Sequence, residues 1–177
     1  QGESCPLKAV VAVCNPFDLH ESTLCIERPK FSSQNIYTPA MLLGLKRIVS
    51  RHRKMMETAP VKIDFDALDS IKRISQFDDI ITSKVFGYKD STDYYKKNSS
   101  SKFMPGIRVP YLAISSLDDP VCPESALPRD TFTSNPYLIL ALTFYGGHLG
   151  YHEDLSSHWF PRPIAEFCKA IFNNTTA

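Results

Sequence analysis

The sequence predicts an α/β protein in which parallel strands are flanked by helices. Three short apolar runs are rich in branched side chains, and each is followed by turn-forming residues: 8–14 (KAVVAVC), 109–115 (VPYLAIS) and 136–145 (PYLILALTFY). Continuous apolar runs of this length are typical of strands that helices cover on both faces. Helical patterns fill the stretches between and after these runs.

The composition places the chain among ordinary globular proteins. Its 177 residues suffice for one domain with a core, and the 43% of apolar and 22% of charged residues exclude disordered and collagen-like classes. The formal charge of +1 gives no overall attraction to nucleic acid. No segment approaches the roughly 18–20 apolar residues of a membrane span.

Five segments have helical patterns. The first begins at Thr38-Pro39, with proline in the first turn, and the last is amphipathic, with apolar positions 164, 167, 168 and 171 on one face. The five segments are 38–56, 66–74, 76–81, 91–98 and 163–173. The stretch between the first two strands, about 17–105, is too long for a simple crossover. We therefore expect a cap-like helical insertion there.

Cysteine and histidine spacing predicts no metal site, disulfide framework or organic cofactor. The five cysteines are odd in number and form no C-x-x-C pair, which favours free thiols and an intracellular protein. The five histidines have no ligand spacing. The basic segment 46–54 (KRIVSRHRK) has two interpretations, a contact with a membrane surface or a solvated helix face.

An acid and a histidine follow two of the predicted strands. The loop 116–123 carries Asp118 and Asp119, and the loop 145–151 carries His148 behind two glycines. In open α/β sheets the carboxyl ends of the strands form the ligand-binding edge, so these loops should meet. A carboxylate that accepts a hydrogen bond from one imidazole nitrogen leaves the other nitrogen free as a general base. The alternatives are a structural turn and a histidine that serves packing.

Three sequence blocks resemble one branch of the α/β-hydrolase superfamily. They are FDDIITSKVFGYKDSTDYYKKNSS (77–100), LDDPVCP (117–123) and FYGGHLGY (144–151), and they agree with the family in order and spacing. The branch is the YheT-like, abhydrolase-domain group of medium-chain ethyl-ester synthase/esterases and monoacylglycerol lipases. The resemblance covers nearly the whole chain and implies that residues 1–177 are the C-terminal portion of a single α/β-hydrolase domain.

The resemblance implies that Asp119 is the triad acid, rather than Asp118, and that His148 is the triad base. The implied reaction is hydrolysis of medium-chain acyl esters or acylglycerols, or transfer of the acyl group to an alcohol. The helical insertion would then shape an apolar acyl pocket. Five residues are candidate lining residues, with packing as their alternative role: Met41, Leu42, Leu45, Phe86 and Tyr88.

The sequence departs from the family in one large respect, because no G-x-S-x-G motif is present. The nucleophile and the oxyanion-hole donors of the family belong to that motif and to an earlier loop. Ser4 precedes a strand and is a poor substitute. We therefore expect a preceding segment or a partner chain to supply both groups, and the chain alone to lack esterase activity. We also expect the exposed sheet edge to favour oligomerisation.

A second hypothesis is a non-catalytic module that keeps a hydrolase-derived fold and binds a lipid or a protein. The absent serine motif favours it, whereas the matched acid and histidine loops favour the enzyme. We expect any membrane or lipid-droplet association to come from a segment preceding Gln1.

Overall fold

A computed structural model describes residues 2–28 and 36–175, in two compact units. The first unit comprises residues 1–18 and 100–177, and the second comprises Leu19–Ser99. No helix in the described ranges is both long and apolar enough to cross a membrane.

The first unit is built on a parallel three-stranded sheet in the order β1-β2-β3. The strands are β1 (Val10–Val13), β2 (Tyr111–Ser116) and β3 (Leu138–Thr143). Each strand lies within a run that the sequence predicts as a strand, and the parallel pairing confirms the predicted fold class. The strands are shorter than the predicted runs, because the chain leaves the strand conformation before the apolar residues end.

Alternate side chains of β2 enter two different cores, one on each face of the sheet. Both faces are therefore covered by helices. Tyr111 and Ala113 pack with Phe17, Met104, Phe132 and Leu138. Leu112 and Ile114 face the opposite side, where Tyr151, Trp159 and Phe160 lie. The central strand is buried along its whole length, which explains its continuous apolar sequence.

Two α-helices belong to this unit, α7 (Arg129–Ser134) and α8 (Pro161–Thr175). Ile164 and Phe167 of α8 pack against the second core, as the amphipathic pattern predicts. The helix α7 has only 6 residues and was not predicted from the sequence. Short 3-10 turns complete the unit at Gly2–Ser4, Ser100–Lys102, Met104–Gly106 and Glu124–Ala126.

The second unit contains helices and no strand within the described part of Leu19–Ser99. Its helices are α1 (Leu19–Glu27), α2 (Thr38–Glu57), α3 (Phe65–Ser70), α4 (Ile74–Phe77), α5 (Ser83–Phe86) and α6 (Ser91–Asn98). A π-helical segment, Asp78–Thr82, joins α4 to α5. This unit occupies most of the predicted insertion.

Side-chain caps explain several helix boundaries in the second unit. Asp64 accepts the backbone N–H of Ala67 at 2.8 Å, and Asp90 accepts that of Asp93 at 2.8 Å, so α3 and α6 begin with capped amides. The predicted helix 66–74 ends instead at Ser70, because Ile71 adopts an extended conformation. The predicted helix 76–81 is part of the longer run through α4 and α5. The helix α1 was not predicted from the sequence.

Candidate active site

The site lies at the carboxyl edge of the sheet, where all three strands end. Cys14 follows β1 directly, the loop 116–123 follows β2, and the loop 145–151 follows β3. Because the strands are parallel, their carboxyl ends share one edge, and the side chains of these three segments meet there.

The structure brings Asp119 and His148 into direct contact. Nδ1 of His148 lies 3.0 Å from Oδ2 and 3.2 Å from Oδ1 of Asp119. The side chain of Asp119 is 1% exposed, whereas that of His148 is 32% exposed, so the acid is enclosed and the imidazole reaches the surface. The juxtaposition that the strand ends predict is therefore present.

Backbone amides hold the Asp119 carboxylate in place. The N–H groups of Val121 and Cys122 both donate to Oδ1, each at 2.8 Å. The two bonds leave Oδ2 directed to the imidazole and compensate for the burial of a charged group. One carboxylate thus organises its own turn and the histidine together.

The contact favours the protonated form of His148. The hydrogen bond to Asp119 raises the pKa of His148 well above its ordinary value, and the side chains of Cys122 and Cys14 contribute in the same direction, while burial opposes the shift. Burial raises the pKa of the Cys122 thiol. The site therefore stabilises a positive charge on the imidazole.

Glycine is required at two positions of the loop 145–151, for a different structural reason at each. A Cβ on Gly146 would lie 2.5 Å from the buried ring of Tyr151, so only glycine allows the loop to pass that ring. Gly147 has a φ of +54°, in the left-handed region that disfavours other residues. The loop reaches the acid because both constraints are met immediately before His148.

Asp118 has a role that the sequence analysis did not assign. Its carboxylate accepts the backbone N–H of Gly147 at 2.8 Å. The hydroxyl of Ser116 donates to the carbonyl oxygen of the same glycine at 2.9 Å. The two neighbouring acids thus act on consecutive residues, since Asp118 holds the loop and Asp119 contacts the imidazole.

Cys14 also belongs to the site, although the sequence analysis did not select it. Its Sγ lies 3.4 Å from the hydroxyl of Tyr151 and accepts the N–H of Leu149 at 3.4 Å. The signal that would have found it is its position at the end of a strand, which Asp119 shares. Its φ of +50° is rare for a residue with a side chain.

Two further histidines near the site, His152 and His158, are exposed. Their rings lie 4.5 Å apart across a short antiparallel bridge. All five cysteines lie in the described ranges and are thiols rather than disulfides, and three of them are buried: Cys14, Cys25 and Cys122.

The five candidate pocket residues belong to the second unit and differ in burial. Leu42 is 6% exposed, while Met41 and Phe86 are 37% and 68% exposed. Tyr88 donates a hydrogen bond to the Asn98 side chain. Their role as an acyl pocket stays a prediction.

The basic segment 46–54 lies within α2, with most of its charged side chains exposed. Lys46 donates to the carbonyl oxygen of Asp69, and Arg53 pairs with Glu57 at 2.9 Å. These partners agree with a solvated helix face.

Known proteins resemble the chain over almost its whole length. A monoacylglycerol lipase of Saccharomyces cerevisiae is 37% identical over 173 residues, which cover 96% of the chain and 38% of that protein. An abhydrolase domain-containing protein of Dictyostelium discoideum is 32% identical over 98% of the chain and 43% of its own length. Phospholipase ABHD3 of Bos taurus is 30% identical over 98% of the chain and 42% of its own length.

The chain thus spans about two fifths of the length of these curated relatives. No protein-family model matches it. The parallel sheet and its flanking helices agree with a partial α/β-hydrolase fold, and the chain is homologous to abhydrolase-domain proteins of that superfamily.

Proposed function

We propose that the chain supplies the acid and the base of a Ser-His-Asp triad in a carboxylic-ester hydrolase. Asp119 is the acid and His148 is the base. The observation that carries the proposal is the 3.0 Å contact between Nδ1 of His148 and the buried carboxylate of Asp119. A carboxylate in this position orients the imidazole and stabilises the imidazolium that forms during catalysis.

The proton path follows from which nitrogen is engaged. Since Nδ1 faces Asp119, Nε2 is the nitrogen left to accept a proton from a serine hydroxyl. The serine oxygen then attacks the ester carbonyl, and the alcohol leaves after receiving the proton from His148. Water or an alcohol takes the acyl group in the second half-reaction. Asp119 stays ionised throughout.

The serine and the oxyanion-hole donors come from outside the 177 residues in this proposal. The sequence has no G-x-S-x-G motif, and the relatives are more than twice as long as the matched region. The names of two relatives, a monoacylglycerol lipase and a phospholipase, support acylglycerols or medium-chain acyl esters as the substrate class. An alcohol acceptor would make the same site an acyltransferase.

The first experiment compares the chain with a longer gene product that includes a G-x-S-x-G segment. Hydrolysis of a short-chain p-nitrophenyl ester and serine labelling by a fluorophosphonate should appear only in the longer product. In that product, His148→Ala should reduce kcat by a factor on the order of 10⁴ or more, while His152→Ala should leave it unchanged. Hydrolysis by the chain alone, with labelling that survives replacement of every serine except Ser4, would contradict the proposal.

A non-catalytic binding module is the second candidate, and the absent G-x-S-x-G motif favours it. A groove in the second unit offers an apolar surface for a lipid: its lining residues are Ile48, Val49, His52, Met55, Met56, Ala59, Ile63, Phe77, Ile81 and Val85. Absence of the motif upstream of Gln1 in the coding sequence, together with saturable binding of a medium-chain fatty acid, would favour this candidate over the hydrolase.

A further inference from the structure

Three potential metal ligands converge at the site from three different strand ends. One donor atom each from Cys14, Asp119 and His148 lies within 4.8 Å of the other two. Cys14 and Asp119 are buried, and His148 is half-buried. The histidine spacing gives no sign of this cluster, because its members lie far apart in sequence and only the parallel sheet brings them together.

We propose that Cys14, Asp119 and His148 form a binding site for Zn²⁺, and that zinc inhibits the proposed hydrolase by occupying its base. Thiolate, imidazole and carboxylate are the three ligand types that zinc uses in proteins. A thiolate in the set disfavours Mg²⁺ and Ca²⁺, which prefer oxygen ligands. Zinc binding itself is independent of the proposed function, whereas the inhibition rests on it.

The spacing of the donor atoms suits a tetrahedral ion. Zinc bonds of about 2.0–2.1 Å to nitrogen and oxygen place two neighbouring ligands roughly 3.3 Å apart. Nδ1 of His148 and Oδ2 of Asp119 are already 3.0 Å apart. A zinc–sulfur bond of about 2.3 Å requires roughly 3.6 Å between Sγ and each of the other two donor atoms. The three donor atoms lie within 4.8 Å of one another, so the Cys14 sulfur needs to approach by about 1.2 Å at most.

The groups around the cluster would hold its ligands in place. Oδ1 of Asp119 is engaged by two backbone N–H groups, which leaves Oδ2 for the ion. The N–H of Leu149 donates to Sγ of Cys14, and such a donor stabilises a thiolate. Fixed outer partners of this kind orient metal ligands and tune their basicity. Water would complete the coordination.

Binding would exchange protons for the ion without any redox step. The Cys14 thiol loses its proton to solvent, and the His148 imidazolium releases its Nδ1 proton to solvent while it keeps the proton on Nε2. The ion then occupies the position of the hydrogen bond that orients the imidazole. His148 then loses its catalytic orientation, and Asp119 can no longer stabilise the imidazolium, so hydrolysis should stop until a chelator removes the ion.

Cobalt and zinc titrations of the metal-stripped chain test the site without an activity assay. We expect one Co²⁺ per chain with a sulfur-to-cobalt charge-transfer absorption, which Zn²⁺ abolishes and Mg²⁺ does not. Cys14→Ser should remove that absorption and weaken Zn²⁺ binding by about 100-fold or more, since even an outer-partner mutation costs about 10–100-fold. Cys5→Ser, which changes a cysteine outside the cluster, should leave both unchanged. An absorption that persists in Cys14→Ser would overturn the site.

Histidine NMR on the unmodified chain keeps the test valid if Cys14→Ser fails to fold. Zn²⁺ should shift the ring signals of His148 and leave those of His152 and His158 in place. Zinc-dependent shifts confined to the exposed pair would overturn the proposal.

Inhibition is tested separately, on the longer gene product with its serine motif. Zn²⁺ should abolish ester hydrolysis and a chelator should restore it. Hydrolysis unaffected by zinc, in a protein whose His148 signals do shift, would refute the inhibition while leaving the metal site intact. A longer product that shows no hydrolysis at all would refute the proposed function and leave the cobalt result unaffected.

Discussion

Replacement of Asp119 by alanine should destabilise the first unit by about 3–5 kcal/mol. The carboxylate is the acceptor for two backbone N–H groups and for the His148 imidazole, and its side chain is 1% exposed. A buried donor without a partner costs about 1–3 kcal/mol, so the two amides alone account for roughly 2–6 kcal/mol. Loss of one member of a buried ion pair costs about 3–5 kcal/mol, a range that already includes the groups left unpaired, so the two figures overlap and are not added.

Asp119→Asn separates the charge from the hydrogen bonds. The amide oxygen can still accept both backbone N–H groups, but those bonds become neutral and the ion pair is lost. We expect a smaller cost of about 1–3 kcal/mol, in line with the difference between charged and neutral acceptors. The order wild type, Asp119→Asn, Asp119→Ala is therefore the expected order of decreasing stability.

Urea unfolding followed by tryptophan fluorescence measures this series. Trp159 is the single tryptophan of the sequence and packs within the first unit, 6.3 Å from the Tyr151 ring, so its signal reports on the part that contains the site. Asp130→Asn, a change at an exposed acid in α7, should alter the free energy of unfolding by less than about 0.5 kcal/mol. An alanine variant at position 119 that unfolds with the same free energy as Asp130→Asn would refute the reasoning.

Three further changes address the loop and the charge. Gly146→Ala places a methyl group 2.5 Å from a buried tyrosine ring and should lower the free energy of unfolding by about 1–3 kcal/mol, measured by calorimetry or urea unfolding. The control Gly44→Ala, in an exposed turn of α2, should raise the free energy of unfolding by about 0.5–1 kcal/mol. The pKa of His148 is raised in the folded state, so its pairing with Asp119 should stabilise the fold most below about pH 6.5. This stabilisation should be lost as the pH rises through the folded-state pKa, which urea unfolding at several pH values would measure. Asp118→Ala should cost about 0.5–1.5 kcal/mol and speed hydrogen exchange at the amide it binds, measured by NMR.

Each of these three predictions could be contradicted by a specific result. Equal effects at Gly146 and Gly44 would show that the tyrosine ring yields without cost. A pH dependence that is the same in wild type and Asp119→Asn would exclude the ion pair as its source. Unchanged exchange at Gly147 in the Asp118 variant would mean that the loop is held by other contacts.

The strands and the acid–histidine pair were predictable because both depend on local composition and on the geometry of parallel sheets. Branched apolar runs such as Val10–Val13 leave little alternative to a buried strand, and the residues that follow them must share one edge. The same reasoning predicted that the loop with Asp118 and Asp119 would meet the loop with His148, and the family resemblance selected Asp119.

Other features could not be predicted because they arise from tertiary contacts. The extended conformation of Ile71, which ends α3, interrupts a pattern that reads as continuous helix. Asp118 and Asp119 are adjacent and chemically identical, so local composition did not predict that Asp118 would bind the backbone N–H of Gly147. The part played by Cys14 depends on a bond to Leu149, 135 positions away.

Three residues around the site carry a positive φ without being glycine: Cys14 at +50°, Leu149 at +66° and Tyr151 at +44°. Conformations of this kind cost on the order of 1–3 kcal/mol each and persist only where the surroundings enforce them. A screen for heat-resistant variants should therefore find glycine or asparagine at position 149, where the side chain is half exposed. The same variants should hold the imidazole less firmly, so substitutions in this loop that raise thermal stability should lower the proposed activity.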